Sequence, residues 1–209
     1  MNWQRMVTIS IVVTSLLSWG CSTISPAVTY YSLLNTEGQN FSEPTKFNDP
    51  IQDHSMAIQI GPVNFPRYLQ RSQIVTRSQG AQLTINEFHR WGSKLEEEML
   101  AVLRDNLSSL LSSPRVVVYP ETAHFPLDYH IVIDVHRFDG ILGKDVSLNT
   151  RWMIVDPTTH QALHIMQSDI SQAIRDESYD ALVTAHNLAL MQLSQEIKIN
   201  LVNYISKLD

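Results

Sequence analysis

Two stretches with a helical apolar period interrupt a series of short apolar or alternating segments, and this order predicts the architecture. The helical period covers 92–111 and 179–205. Strands followed by a helix, more strands and a last helix are typical of an α+β fold. We expect a two-layer domain with a mostly antiparallel sheet and two amphipathic helices on one face. The predicted strands cover 28–34, 56–63, 73–77, 82–85, 115–119, 129–138, 146–155 and 162–170.

Local signals predict where these elements begin, end and pair. Ser93, with Glu96 three residues later, has the pattern of a capping box at the start of the first helix. The turn at 78–81 contains a glycine and predicts a hairpin between the strands beside it. The three strands between 129 and 170 predict a meander, and the polar segment 35–55 predicts a long loop.

The N-terminus has the pattern of a secretory signal. Arg5 is followed by the uncharged apolar run 6–19, which is shorter than the roughly 20 apolar residues of a membrane-spanning helix. Cys21, the only cysteine, follows at once and resembles the acylated cysteine of a bacterial lipoprotein. We therefore predict a signal peptide at 1–20, a lipidated tether at 21–27 carrying acyl chains such as palmitate, and a single domain at 28–209. The alternative is ordinary cleavage, which leaves a free thiol.

Composition excludes several classes of function. A formal charge of −6 argues against nucleic-acid binding, which needs a basic face. One cysteine excludes an internal disulfide and a cysteine-rich zinc site. The sequence contains no G-x-S-x-G, G-x-G-x-x-G or G-K-[ST] motif. These absences agree with the prediction that the protein is not an enzyme and takes no cofactor, which the resemblance described below implies.

Histidine provides the remaining candidates for a metal or catalytic site. His130, Asp134 and His136 share one face of a predicted strand, and His160 and His164 are four residues apart across a turn and a strand. The first group is the one place where an envelope hydrolase could assemble its catalytic groups. Side chains two residues apart, such as Asp134 and His136, are close enough to share a ligand, but no third partner is visible beside them. A solvated sheet face therefore explains the group better, and we predict no metal site.

Arginine and aromatic residues concentrate in two segments, 61–77 and 88–91. These residue types are enriched at protein interfaces, which makes the segments candidates for partner contact. An equally good interpretation is that Phe88 and Trp91 staple the helix to the core while the arginines pair with nearby carboxylates. The candidate contact residues are Arg71, Gln73, Arg77, Arg90 and Trp91.

Three strings carry a resemblance to a known family. Residues 68–77 read YLQRSQIVTR, residues 88–95 read FHRWGSKL and residues 30–34 read YYSLL. They resemble, in the same order, the Y-L-D-R-P-Q-I-V-T-R stretch, the R-W start of the first helix and the Y-Y-x-L strand of the PqiC (YmbA) lipoproteins. That family is also described as ABC-type transport auxiliary lipoproteins of the MCE-type intermembrane transport system.

The resemblance implies a role and a partner. Members of the family are outer-membrane lipoproteins that face the periplasm and partner an MCE-domain, PqiB-like protein. The implied function is a non-catalytic docking subunit in intermembrane phospholipid transport and envelope integrity, anchored in the membrane lipid through acylated Cys21. The alternative is a stand-alone lipid- or small-ligand-binding lipoprotein. A homo-oligomer is left open.

Overall fold

The structure, a computed structural model, describes residues 26–35, 56–78 and 80–207. The predicted signal peptide, Cys21 and all but the first residue of the 35–55 loop lie outside these ranges. The strands are β1 (Thr29–Tyr31), β2 (Ile58–Asn64), β3 (Gln73–Arg77), β4 (Leu83–Trp91), β5 (Val116–Val118), β6 (Tyr129–Ile141), β7 (Asp145–Val155) and β8 (Ala162–Ala173). The helices are α1 (Leu95–Leu111), α2 (Tyr179–Ile205) and a short 3₁₀ helix (Arg67–Leu69).

One sheet of eight strands is organised around β6. On one edge, β6 pairs with β7, and β8 follows β7. On the other edge, β2 lies beside the first part of β6 and β3 beside its end. β5 continues the sheet beyond β2, while β4 and then β1 continue it beyond β3.

The sheet is mixed. The predicted hairpin is confirmed in the antiparallel pair β3–β4, and the predicted meander in β6–β7–β8. The other four pairings, β1–β4, β2–β5, β2–β6 and β3–β6, are parallel. Parallel strands require a crossover, and α1 lies in the connection from β2 to β5. A local alternation of apolar and polar residues predicts a strand, but it does not predict which other strand pairs with it.

The two helices cover one face of this sheet, which confirms the α+β expectation. α1 packs against β2 and β5, α2 packs against β7 and β8, and the helices contact each other. Trp152, Phe138 and Met99 are among the largest side chains of the core they enclose. Within the described residues, neither helix is long and apolar enough to cross a lipid bilayer.

A register shift between Val135 and Arg137 changes which residues of β6 face the core. Ile133 and Val135 point inward before the shift, and Phe138 points inward after it, opposite buried Leu148 of β7. The bulge therefore places Asp139 on the face of the sheet away from the helices. Without the shift, strict alternation along β6 would place Asp139 on the core side and Phe138 on the opposite face.

The predicted capping box is wrong. β4 runs to Trp91, so Ser93 lies in the turn, and α1 begins at Leu95 with Lys94 at the cap and no side-chain capping bond. Glu98, not Glu96, reaches back: its Oε1 accepts the backbone N–H and the hydroxyl of Ser93 at 2.9 and 2.8 Å. Its Oε2 accepts the Leu33 N–H at 2.8 Å. Glu98 thus ties the segment after β1 to the start of α1.

His186 of α2 is buried among aromatic rings. It lies edge-on to Phe138 and Trp91, with ring centroids 4.6 and 5.6 Å away, and its Nδ1 is 2.8 Å from the Leu182 carbonyl oxygen. Burial lowers the pKa of His186 to about 4, against the smaller raising effects of the Leu182 hydrogen bond and the Asp139 carboxylate. The folded protein therefore holds this imidazole neutral.

We predict that His186 makes the fold sensitive to acid. The unfolded chain takes up this proton near pH 6.5, whereas the folded protein resists it until about pH 4, so stability is full above pH 6.5 and falls below it. The loss from this group by pH 4 is about 3 kcal/mol. Urea unfolding at pH 7 and pH 4 should show a smaller difference for His186→Gln than for the wild type. His136→Gln, an exposed control, should keep the wild-type difference, and an unchanged difference in His186→Gln would contradict the assignment.

Candidate functional site

A fully buried carboxylate, that of Asp139, lies behind the Arg- and aromatic-rich segment. Its Oδ2 accepts the Tyr68 hydroxyl at 2.8 Å. Its Oδ1 accepts the Nε–H groups of Arg77 and Arg137 at 2.8 and 2.9 Å. A buried charge without partners is very costly, so these donors make the position of Asp139 tolerable.

Tyr68 is held in its protonated form by this arrangement. Burial, followed by the hydrogen bond to Asp139, raises the pKa of Tyr68 to about 12. The Arg77 guanidinium carbon lies 5.6 Å from the centre of the Tyr68 ring, within cation–π range. Asp139, Tyr68 and Arg77 therefore form one unit that joins β6, the 3₁₀ helix and the end of β3.

The chain from Phe65 to Ser72 is further fixed by its own hydrogen bonds. The Leu69 N–H donates to the Pro66 carbonyl at 3.0 Å, and the Arg71 N–H donates to the Leu69 carbonyl at 2.9 Å. The Gln70 amide donates to the Phe65 carbonyl at 2.7 Å. We call residues 65–72 the wall segment.

A groove of about 630 Å³ lies between the wall segment, the end of β4 and the start of α1. Its floor is apolar, with buried Phe65, Leu69, Trp91 and Leu95. The cationic side chains of Arg71, Arg90 and Lys94 also line it, and Glu96 is the one carboxylate among the described lining residues. The remaining lining residues are Tyr30, Gln70, Ser72, Gly92 and Ser93.

Three of the five predicted contact residues, Arg71, Arg90 and Trp91, line this groove. Arg71 is exposed and has no ion-pair partner within the described ranges. Arg90 donates to the exposed Glu87 carboxylate at 3.0 Å. Gln73 donates to the same carboxylate at 3.0 Å, which connects it to the groove through Arg90.

The fifth residue, Arg77, lies outside the groove lining in the Asp139 unit. The alternative interpretation, that the arginines pair with carboxylates, therefore holds for Arg77, which pairs with Asp139, and for Arg90, which pairs with Glu87. The stapling interpretation holds only in part, because Trp91 is buried against His186 whereas Phe88 is 39% exposed. The role of all five residues in partner contact stays a prediction.

Sequence reasoning missed two groove residues, Tyr30 and Lys94. Tyr30 on β1 is the register partner of Arg90 on β4, which in turn is the register partner of Gln73 on β3. These three side chains thus share one face of the sheet. The adjacent residues Tyr30 and Tyr31 could have indicated an exposed ring. Neighbouring residues of a strand point to opposite faces, so one of the two rings must lie outside the core.

The histidine face predicted as solvated carries ordinary polar contacts. Asp134 accepts the Asn64 amide at 2.7 Å and lies 3.5 Å from an Arg151 nitrogen. The His136 ring nitrogen Nδ1 is 3.1 Å from the Asn149 amide oxygen. In 26–35, 56–78 and 80–207, no group of three or more His, Cys, Asp or Glu side chains could hold a metal ion.

Comparison with known proteins identifies relatives of this chain. The family model for the ABC-type transport auxiliary lipoprotein component matches residues 41–198. A crystal structure of an uncharacterized protein has a TM-score of 0.66 at 20% identity, covering 84% of this chain and 99% of its own. Protein XCC0632 from Xanthomonas campestris has a TM-score of 0.58 at 14% identity, covering 68% of this chain and 80% of its own. No curated protein matches this sequence significantly.

The structure predicts that Arg71 and Arg77, although close together in the sequence, respond differently to charge reversal. Arg77→Glu removes a donor from buried Asp139 and adds a second carboxylate beside it, so the free energy of unfolding should fall by about 3 kcal/mol or more. Arg71→Glu is exposed and unpaired in the described ranges, so the change should stay within about 0.5 kcal/mol. Urea unfolding of both variants checks this, and equal losses would contradict the role given to Asp139.

Proposed function

Because this chain belongs to the family of ABC-type transport auxiliary lipoprotein components, we propose that it is a non-catalytic docking subunit for an MCE-domain protein. In this role it attaches an intermembrane phospholipid transport system to the outer membrane and supports envelope integrity. The groove is the observation that carries the proposal, since it brings Arg71, Arg90 and Trp91 to one apolar-floored site. Trp, Tyr and Arg are the residues that dominate binding energy at protein interfaces.

The proposed location is the periplasmic face of the outer membrane. Acylated Cys21 is the anchor, 21–27 is the tether and 28–209 is the folded domain. The contacts of the first described segment suit an anchored chain, because the Leu33 N–H donates to Glu98 of α1 and the Leu34 N–H to Asn187 of α2 at 3.0 Å. The fold is thereby secured within a few residues of the proposed tether.

Cys21 is expected to be the acylation site. Cells grown with an alkyne analogue of palmitate should label the wild-type protein, and Cys21→Ser should abolish the label and release the protein from the membrane fraction. Ser22→Ala is the matched control and should keep the label. Labelling of Cys21→Ser, or a wild-type protein that never labels, would contradict the proposed anchor.

The docking role predicts which protein contacts the groove in the cell. A photo-crosslinking amino acid at exposed Ser72, which lines the groove beside Arg71 and leaves Arg71 in place, should capture an MCE-domain protein, identified by mass spectrometry. The same probe at Arg175, an exposed arginine outside the groove lining, should capture it far less. Capture of lipid alone from Ser72, in a protein that is folded and membrane-bound, would favour the stand-alone lipid-binding alternative. Capture only of a second copy of this chain would also contradict the docking role.

A further inference from the structure

The groove combines two kinds of surface that select a particular ligand. Its floor consists of buried apolar side chains, Phe65, Leu69, Trp91 and Leu95, and the Tyr30 ring, 63% exposed, lines it as well. Its charged lining residues in the described part of the chain are three cations, Arg71, Arg90 and Lys94, and one carboxylate, Glu96, although the chain as a whole carries a formal charge of −6. A ligand that fills both surfaces needs an apolar group next to a negative charge.

The three cationic side chains that line the groove differ in whether they already pair with a carboxylate. Lys94 lies 3.0 Å from Glu97, and Arg90 lies 3.0 Å from Glu87. Arg71 has no such partner in the described residues, and its backbone N–H is bound to Leu69. The planar guanidinium of Arg71 is therefore the group left to receive a carboxylate, with which arginine forms paired hydrogen bonds.

The size of the groove fits a short peptide better than a membrane lipid. Its volume of about 630 Å³ lies in the ~300–1,000 Å³ range of sites that enclose drug-sized ligands. Such a volume encloses a few side chains, whereas a diacyl lipid has two long chains to cover. Its walls are also fixed before binding, by the Asp139 unit and the hydrogen bonds of the wall segment. A preformed pocket of aromatic residues and arginine is the usual environment of a peptide hot spot.

We propose that this groove binds an acidic peptide segment of a partner protein, in which a large apolar side chain lies within a few residues of an Asp or Glu. The apolar side chain occupies the floor beside Trp91 and Tyr30, and the carboxylate pairs with Arg71. This inference rests on the proposed docking function, because it names the part of the partner that the docking site receives.

The test uses a random-peptide library displayed on phage, selected against the purified protein. The expected outcome is enrichment of peptides that carry Trp, Phe, Leu or Ile close to Asp or Glu. A synthetic copy of the most enriched peptide should bind Arg71→Glu at least about tenfold more weakly than the wild type, as loss of a charged hydrogen-bond pair requires. Tyr30→Ala should weaken it several-fold, and Tyr30→Phe should restore most of the loss.

Two exposed changes outside the groove serve as controls. Arg175→Glu makes the same charge reversal and Phe88→Ala removes a comparable ring, and both should bind the peptide like the wild type. Enriched peptides without acidic residues, or equal binding to Arg71→Glu and the wild type, would overturn the proposal. Displacement of the peptide from the wild type by phosphatidylglycerol vesicles would also overturn it, because the groove would then take a lipid rather than a peptide.

The result of the peptide selection can be distinguished from the result of the test of the docking role. The selection contains no MCE-domain protein, so it reports only on the chemistry of the groove. Capture of that protein by the probe at Ser72 without an acidic peptide motif would leave docking intact and reject this inference. A clear motif that depends on Arg71, with no capture of that protein in the cell, would reject the proposed partner and keep the groove as a peptide site.

Discussion

The carboxylate of Asp139 is the group on which the geometry of the groove side of the molecule depends. It is fully buried, and it is tolerable there only because Tyr68, Arg77 and Arg137 all donate to it. Those three donors come from the 3₁₀ helix, the end of β3 and β6 itself. This carboxylate holds the 3₁₀ helix and the end of β3, which are neighbours along the chain, against β6, whose Asp139 lies 71 residues after Tyr68 and 62 after Arg77. It does so from the sheet face that the helices leave uncovered.

The hydrogen bonds to Asp139 also help to fix the shape of the groove. The wall segment is attached to the sheet through Tyr68, and the Trp91 N–H donates to the Ser72 carbonyl at 2.7 Å, so the wall and the end of β4 move together. Trp91 contributes to both sides: its ring packs nearly perpendicular to the ring of buried His186, and the same residue lines the groove. Two residues of the YLQRSQIVTR string, Tyr68 and Arg77, therefore have a structural role, whereas Arg71 between them has no ion-pair partner among the described residues.

The elements that depend on local pattern could be predicted from the sequence, and those that depend on long-range pairing could not. The helical periods, the hairpin and the meander were correct because each is encoded within a few tens of residues. The parallel pairs and the bulge after Val135 were not predicted, since neither has a local signal. The bulge matters most, because without it Asp139 would point into the core. Among the candidate contact residues, composition selected Arg71, Arg90 and Trp91, which line the groove, but it could not show that Arg77 pairs with a carboxylate 62 residues away.

The central claim is that docking occurs at the groove and that Arg71 takes part directly rather than through the fold. The most direct test measures the affinity of the purified MCE-domain protein for wild type and for Arg71→Glu, alongside the free energy of unfolding of each. The account predicts a loss of affinity of at least about tenfold with unfolding unchanged. Equal affinities for the two proteins would contradict it, and so would a loss of affinity that merely follows a loss of stability.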